Sequence, residues 1–363
     1  MKAALILPPR EMFSPDGSGA VGLLLKLLAG PDDIVYGMPT TNPFDTAAFR
    51  PVAPKLRLAP VAMRYAAGLA AALRANPPDI IEVHNRPDIA LFLTQRFPRI
   101  PTSLFLHNDP HGMRGAQTPA DRTNLLQRLA MITPVSAYLR DRLLEGIANP
   151  PSVRVFPNFV DLDAMPKPRP EQLILFAGRI VADKGADSFV AACSLALPTL
   201  SGWRAEMIGA DRFGANSPET PFLRALRPQA AKAGVIMTGW KPHAEVLQAM
   251  ARAAIVVVPS RWPEPFGLTA LEAMACGSAL LCSPRGGLSE VMGKAAVPIN
   301  PDAPRDIAAK LQALAGDDEL RAEIAEAGLV QANRFGLPAA RARLAGLREA
   351  ALTHWSQRQP HPI

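Results

Sequence analysis

Short apolar runs alternate along this chain with segments of helical periodicity, and clusters of turn-forming residues separate the two. That rhythm is the signature of βα units, in which a strand hands over to a helix that packs on the sheet and returns the chain parallel to its start. Residues 3–7 (AALIL) read as a first strand, 14–20 (SPDGSGA) as a turn and 21–29 (VGLLLKLLA) as the helix that follows. Further strands are expected in 34–38, 77–85, 102–109, 131–136 and 152–158, with helices at about 59–75, 121–130 and 137–147. Residues 159–171 (FVDLDAMPKPRPE) break the rhythm with three prolines and no periodicity, which marks a linker.

Beyond the linker the alternation restarts, with strands in 173–178, 203–210, 235–240, 254–260, 278–283 and 296–300 and helices at 185–197, 221–233, 243–252 and 267–276. From 304 to about 357 the chain reads as helical, with one break at Phe335-Gly336-Leu337-Pro338. A length of 363 residues suits two domains. The expected organisation is an N-terminal doubly wound domain over 1–160, a second over 161–335 and a helical tail over 336–363 packing back on the first. Open α/β sheets bind ligands outside the carboxyl ends of their strands, so two of them facing one another would make a central cleft bridged by the C-terminal helices. Function is therefore sought in loops that follow strands.

Composition narrows the classes. With 48 % apolar and 20 % charged residues the chain can bury a core, which excludes intrinsic disorder. Its three cysteines are an odd number without CxxC spacing, so neither a disulfide framework nor a structural zinc site is expected, and a reducing, cytoplasmic compartment fits. No run reaches the roughly 20 apolar residues that span a bilayer, and the apolar stretch in MKAALILPPREMF is too short for a secretory signal core. A net charge of +7 favours anionic partners and permits peripheral contact with an anionic inner membrane face. The charge is spread over both halves, which argues against a dedicated nucleic-acid surface.

The richest segment is 258–272, VPSRWPEPFGLTALE. Glu264 precedes a helix and Glu272, eight positions on, lies inside it, while backbone N–H groups at Phe266, Gly267 and Leu268 would offer donors and a positive dipole end to an anion. Carboxylates accept from sugar hydroxyls and helix-end amides accept phosphate, a combination suited to a sugar nucleotide; the bland alternative is a loop charge and a solvated helix residue. Arg179 and Lys184, five residues apart after the first strand of the second domain, could grip a diphosphate with a planar fork and a movable point charge. In the first domain Gly17 and Gly19 follow the first strand, His84 and Asn85 end another, and His107, Asn108 and Asp109 end a third. His107 and His111 have a four-residue spacing, but Pro110 between them disfavours a helix and no third ligand appears, so no metal site is expected. Asp161-Leu162-Asp163 imitates a metal-binding DxD motif but sits in the linker and reads as structural.

These segments, taken together, resemble the retaining glycosyltransferases of family 4. Glu264 to Glu272 matches their EX7E signature, and Gly178-Arg179 with Lys184-Gly185, Pro157-Asn158 with Val160-Asp161, and EAMACGSALLCSPRGG (272–287) fall in the family's order. The resemblance implies the GT-B fold of two Rossmann-like domains and transfer of a sugar from a nucleotide diphosphate sugar to a hydroxyl acceptor. It assigns Arg179 and Lys184 to the leaving diphosphate, Glu264 to the donor sugar, Glu272 to the ribose, and Gly286 and Gly287 to the loop beside the donor. Gly17 and Gly19 face the phosphates or the acceptor, His107 lies near the reacting sugar, and His84, Asn85, Asn108 and Asp109 belong to the acceptor side. No cofactor and no divalent metal is implied. The expected acceptor is a lipopolysaccharide, capsule or exopolysaccharide glycan or a lipid-linked saccharide. The sequence departs from the family pattern at Phe159, where a glycine is usual, and at Gly209 to Gly214, where GxGP is usual. A sugar-nucleotide epimerase of the same fold and a sugar-nucleotide-binding protein without transferase activity are the alternatives.

Overall fold

The structure, a computed structural model, describes residues 1–55, 60–212 and 218–358. Phe213 and Gly214 of the loop noted above, and Ala59 at the start of the expected helix, lie outside them. The chain divides into two compact units, one built from Met1–Asn158 with Leu337–Ile363 and the other from Phe159–Gly336.

In the first unit, β1 (Ala3–Ile6), β2 (Ile34–Gly37), β3 (Ala48–Pro51), β4 (Ile80–His84), β5 (Thr102–Leu106) and β6 (Met131–Pro134) form one parallel sheet in the order β3-β2-β1-β4-β5-β6. Helices α1 (Ala20–Leu28), α2 (Val61–Ala75), α3 (Pro87–Arg96), α4 (Pro119–Arg128) and α5 (Ala137–Leu144) make up the rest of its first 158 residues' regular helix. Successive residues of a strand point to opposite faces. Ala4, Ile6, Ile81 and Val83 accordingly join the core that holds Leu69 of α2 and Leu93 of α3, whereas Ala3, Leu5 and Ile80 join Val21 and Leu25 of α1.

The second unit repeats the plan. Its strands β7 (Glu171–Ala177), β8 (Arg204–Ile208), β9 (Val235–Gly239), β10 (Ala253–Val258), β11 (Ala279–Cys282) and β12 (Val297–Pro298) are parallel in the order β12-β11-β10-β7-β8-β9. Helices α6 (Ala186–Ala196), α7 (Pro221–Lys232), α8 (His243–Arg252), α9 (Leu268–Ala275), α10 (Leu288–Met292), α11 (Pro304–Gly316) and α12 (Asp318–Asn333) surround the sheet. Counted within each unit both sheets read 3-2-1-4-5-6, the doubly wound order.

The final helix, α13 (Leu337–Arg358), returns to the first unit. Its Arg348 donates from Nε and Nη2 to the two carboxylate oxygens of Glu82, at 2.8 and 2.9 Å, and from Nη1 to Asp33 at 3.0 Å. All three groups are buried, and Asp33 also accepts from the backbone of Ala3 and Gly30. Among the described residues no helix is long and apolar enough to cross a membrane.

Three elements were not foreseen from the sequence: β3, α3 and α10. The stretch 152–158, expected as a strand, is irregular; Phe156 N donates to Pro134 O at 2.8 Å, and Pro157 has no N–H to continue a ladder. The long C-terminal helical run is interrupted a second time at Asp317, whose side chain accepts from Leu320 N at 2.9 Å and starts α12.

Candidate functional site

In the second unit β7 and β10 lie side by side, and their connections leave in opposite directions, to β8 and to β11. The loops after these two strands therefore meet at the switch point of the sheet, where a ligand crevice forms. The first carries half-buried Arg179 and Lys184, the second Ser260 and Glu264. Although 80 residues apart, Lys184 donates from Nζ to Glu264 Oε1, and Ser260 Oγ donates to the same oxygen at 2.8 Å. An ammonium has three N–H groups, so two remain for an anion. Among the described residues Glu264 Oε2 has no protein partner, which leaves it to accept from a ligand hydroxyl.

Backbone geometry fixes this meeting. Gly185, at φ +70°, is the N-cap of α6, and a Cβ there would come within 1.9 Å of Pro259 O. Gly286, at φ +63°, lies so close to Glu264 that a Cβ would stand 2.4 Å from its carbonyl oxygen, and Gly287 N donates to that carbonyl at 2.7 Å. Arg261 clamps the two loops: it donates to Ala182 O, to both carboxylate oxygens of Asp187 at 2.7 and 2.9 Å and to Asp302 at 3.0 Å. Its own backbone N–H donates to Asp183 O at 2.8 Å. Sequence reasoning missed Arg261, because nothing in its spacing separates an arginine that binds its own loops from an exposed one.

Helix α9 starts at Gly267, φ +110°, with no side-chain cap, so its first-turn N–H groups at Leu268 and beyond have no side-chain acceptor. Phe266 is buried and packs edge-on against Phe335, which anchors the helix start. Glu272 is not joined to Glu264; its Oε1 accepts from His243 Nε2, at the start of α8, at 2.8 Å.

The first unit gathers a different set. Asn85 follows β4 at φ +55°, and its side-chain oxygen accepts from His107 N at 2.7 Å and Asn108 N at 3.1 Å, tying the loops after β4 and β5 together. His84 Nδ1 and His107 Nε2 are hydrogen-bonded at 2.9 Å, with His84 stacked on Phe105. Burial drives both imidazoles toward the neutral form, His107 to a pKa of about 4 with Asn158 opposing, and His84 further depressed by His107 and Arg348. His84, expected on the acceptor side, is buried behind His107 and does not present its ring to solvent. Asp109 is engaged with His111 N at 2.9 Å and with Arg142 Nε at 2.8 Å, and His111 itself is bonded to Arg142. His107 and His111 thus have separate partners.

The glycines after β1 serve a purpose the sequence did not suggest. Glu11 folds back over the start of α1 and accepts from Gly22 N at 2.9 Å, filling the place an external anion would take. A Cβ on Gly19 would meet that carboxylate at 2.8 Å and one on Gly17 would meet Met12 at 2.4 Å. Burial pushes the Glu11 carboxyl upward, against the backbone N–H groups of Gly22 and Gly19.

Comparison with known proteins agrees with this architecture. Residues 161–330 match the model of glycosyl transferases group 1, and residues 34–164 match that of glycosyltransferase family 4. A D-inositol 3-phosphate glycosyltransferase of Segniliparus rotundus is 32 % identical over 184 residues, 50 % of this chain and 40 % of that protein. The chain spans 40 % to 61 % of the length of the first curated relatives it matches. Among solved structures, sucrose-phosphate synthase from Thermosynechococcus elongatus superposes with a TM-score of 0.78 at 17 % identity, over 96 % of this chain and 98 % of that one. HepE of Anabaena, in complex with UDP-glucose, gives 0.77 at 18 % identity over 96 % and 100 %. At such identities these likenesses carry the fold, which is GT-B. The two glycosyltransferase models are matched in chain order and together span residues 34–330.

Proposed function

We propose that this protein is a retaining, metal-independent glycosyltransferase that moves a hexose from a nucleotide diphosphate sugar to a hydroxyl acceptor. The observation that carries the reading is the Lys184–Glu264 contact at the switch point of the second sheet, which sets a cation for phosphate beside a carboxylate for sugar hydroxyls. Breaking a glycosyl–phosphate bond builds negative charge on the leaving oxygen. Arg179, the two remaining Lys184 N–H groups and the uncapped start of α9 (Phe266, Gly267, Leu268) supply the positive field for it, so no divalent ion is needed. Glu264 holds the donor sugar and Glu272 the ribose. No side chain of this site is assigned as a nucleophile, and the leaving phosphate itself takes the acceptor's proton on the face it departs from.

The first unit is assigned to the acceptor, with His107 near the reacting sugar and Asn85 and Asn108 shaping its loop. Its class is a surface glycan or lipid-linked saccharide, met at the cytoplasmic face of a membrane. The reading is supported by the two matched domain families and by the neighbour HepE, whose structure was determined with UDP-glucose.

Calorimetric titration of metal-free protein with UDP, GDP and ADP, beside an Arg179→Ala, Lys184→Ala double variant, tests it. Micromolar binding of one nucleotide, lost in the double variant, is expected; absence of binding by all three overturns the donor site. Product formation undiminished by EDTA, with the donor's anomeric configuration kept in the product's NMR spectrum, is expected of the full reaction.

A further inference from the structure

The hydrogen bond between His243 and Glu272 links two elements that meet only in the folded unit, α8 after β9 and α9 after β10. Glu272 is a half-buried helix residue whose carboxylate can rotate about its terminal bond, since such a torsion is broad and roughly two-fold. Donation from His243 Nε2 to Oε1 at 2.8 Å restrains that rotation and leaves Oε2, without a protein partner among the described residues, as the acceptor for a ligand. His243 is itself held at the first position of a ten-residue helix, directly after Pro242, where the ring is exposed on one side and reaches Glu272 on the other.

We infer that His243 is a positioning residue that makes Glu272 selective for the vicinal hydroxyls of a ribonucleoside diphosphate over a deoxyribonucleoside diphosphate. The inference rests on the assignment of Glu272 to the ribose made above. A carboxylate free to turn offers an acceptor to one hydroxyl in many orientations and rewards the second little. A carboxylate fixed through one oxygen presents the other along a single direction, and a site built to accept from a hydroxyl rejects the analogue that lacks it. No catalytic step is assigned to His243; its ring acts on the ligand through Glu272.

The test measures dissociation constants for UDP, GDP and ADP and for their 2′-deoxy counterparts with wild-type protein and with His243→Ala, His243→Gln and Glu272→Ala. Wild type is expected to prefer the ribonucleotide it binds. His243→Ala should reduce that preference about 3- to 10-fold, the effect of about one hydrogen bond, and His243→Gln, which keeps a donor near the same place, should restore most of it. Equal weakening of both nucleotides in His243→Ala, or an unchanged preference, overturns the inference while Glu272→Ala still abolishes the preference. If Glu272→Ala keeps the full preference, or if no nucleotide binds wild type, the ribose assignment itself fails and the inference with it.

Discussion

Lys184 and Glu264 hold one another at the centre of the proposed donor site, so each variant should be felt by a different part of the ligand. Glu264→Gln keeps an oxygen for Ser260 but weakens acceptance from sugar hydroxyls; affinity for the bare nucleotide should stay within about 3-fold while that for the nucleotide sugar falls about 10- to 100-fold, as for charge-assisted hydrogen bonds. Competition titrations of the two ligands on one sample would measure the split. The histidine pair makes a second prediction. His107 has a folded pKa of about 4 against an ordinary 6.5, and His84 moves in the same direction, so the unfolded chain binds more protons than the folded one in the window between. Stability is then full above about pH 6.5 and falls as pH drops toward 4, by up to about 3 kcal/mol for His107 alone. Urea midpoints at pH 7 and pH 5 should show it, and a His84→Asn, His107→Asn variant should flatten the difference. Lys184 and Glu264 were legible in the sequence because they lie in loops just beyond buried strands, and Glu272 because it follows Glu264 by eight residues, inside α9. Arg261, Glu11 and His243 were not, since their roles arise from partners 74, 11 and 29 residues away that only the fold brings near.

Elements were legible where a period was long enough to see. In the second unit α6, α7, α8 and α9 followed from the sequence as separate helices, α11 and α12 only as one undivided helical run, and α10, with five residues, not at all. Strand β3 escaped because it is an exposed edge of four residues ending in Pro51, with no buried face to impose alternation. Helix α3 escaped because Pro87 sits at its first turn, where proline is tolerated, yet in a linear reading it looks like a stop. Tight turns between elements are equally invisible until their geometry is known. At Gly185 the positive φ and the 1.9 Å approach to Pro259 O leave no room for a methyl group, so Gly185→Ala should cost about 2–4 kcal/mol and displace Lys184 from Glu264. Gly316→Ala, at the end of α11 with nothing within 4 Å of its added Cβ, should change stability by less than about 0.5 kcal/mol. Thermal unfolding of both variants, paired with nucleotide titration, separates the loop effect from a general loss of fold.

The whole molecule has a discontinuous first unit, since the chain leaves it at Asn158 and re-enters at Leu337. Its integrity depends on α13, and within α13 on Arg348, the cation that neutralises buried Glu82 and Asp33. Burial opposes the charge on Arg348, but its two carboxylate partners more than offset that and raise its pKa. Arg348→Ala leaves two buried carboxylates without their cation and should destabilise the first unit by about 3–5 kcal/mol. Hydrogen exchange should report this as lost protection in β1 and β4, with β7 and β10 of the second unit unchanged. Truncation after Gly336 should have the same regional pattern and a larger effect. This arrangement also sets an order of events during synthesis. Residues 159–336 form a contiguous unit that can close as soon as they emerge from the ribosome, whereas the unit begun first must wait for α13. At translation rates of about 5–20 residues per second, the 22 residues of α13 alone take about 1–4 s. Through that interval the nascent first sheet carries Glu82 and Asp33 without their cation, and the apolar face around Ala3 and Leu5 is covered by α1 but not yet by Ala351 and Trp355 of α13, which makes this half a segment a chaperone would meet.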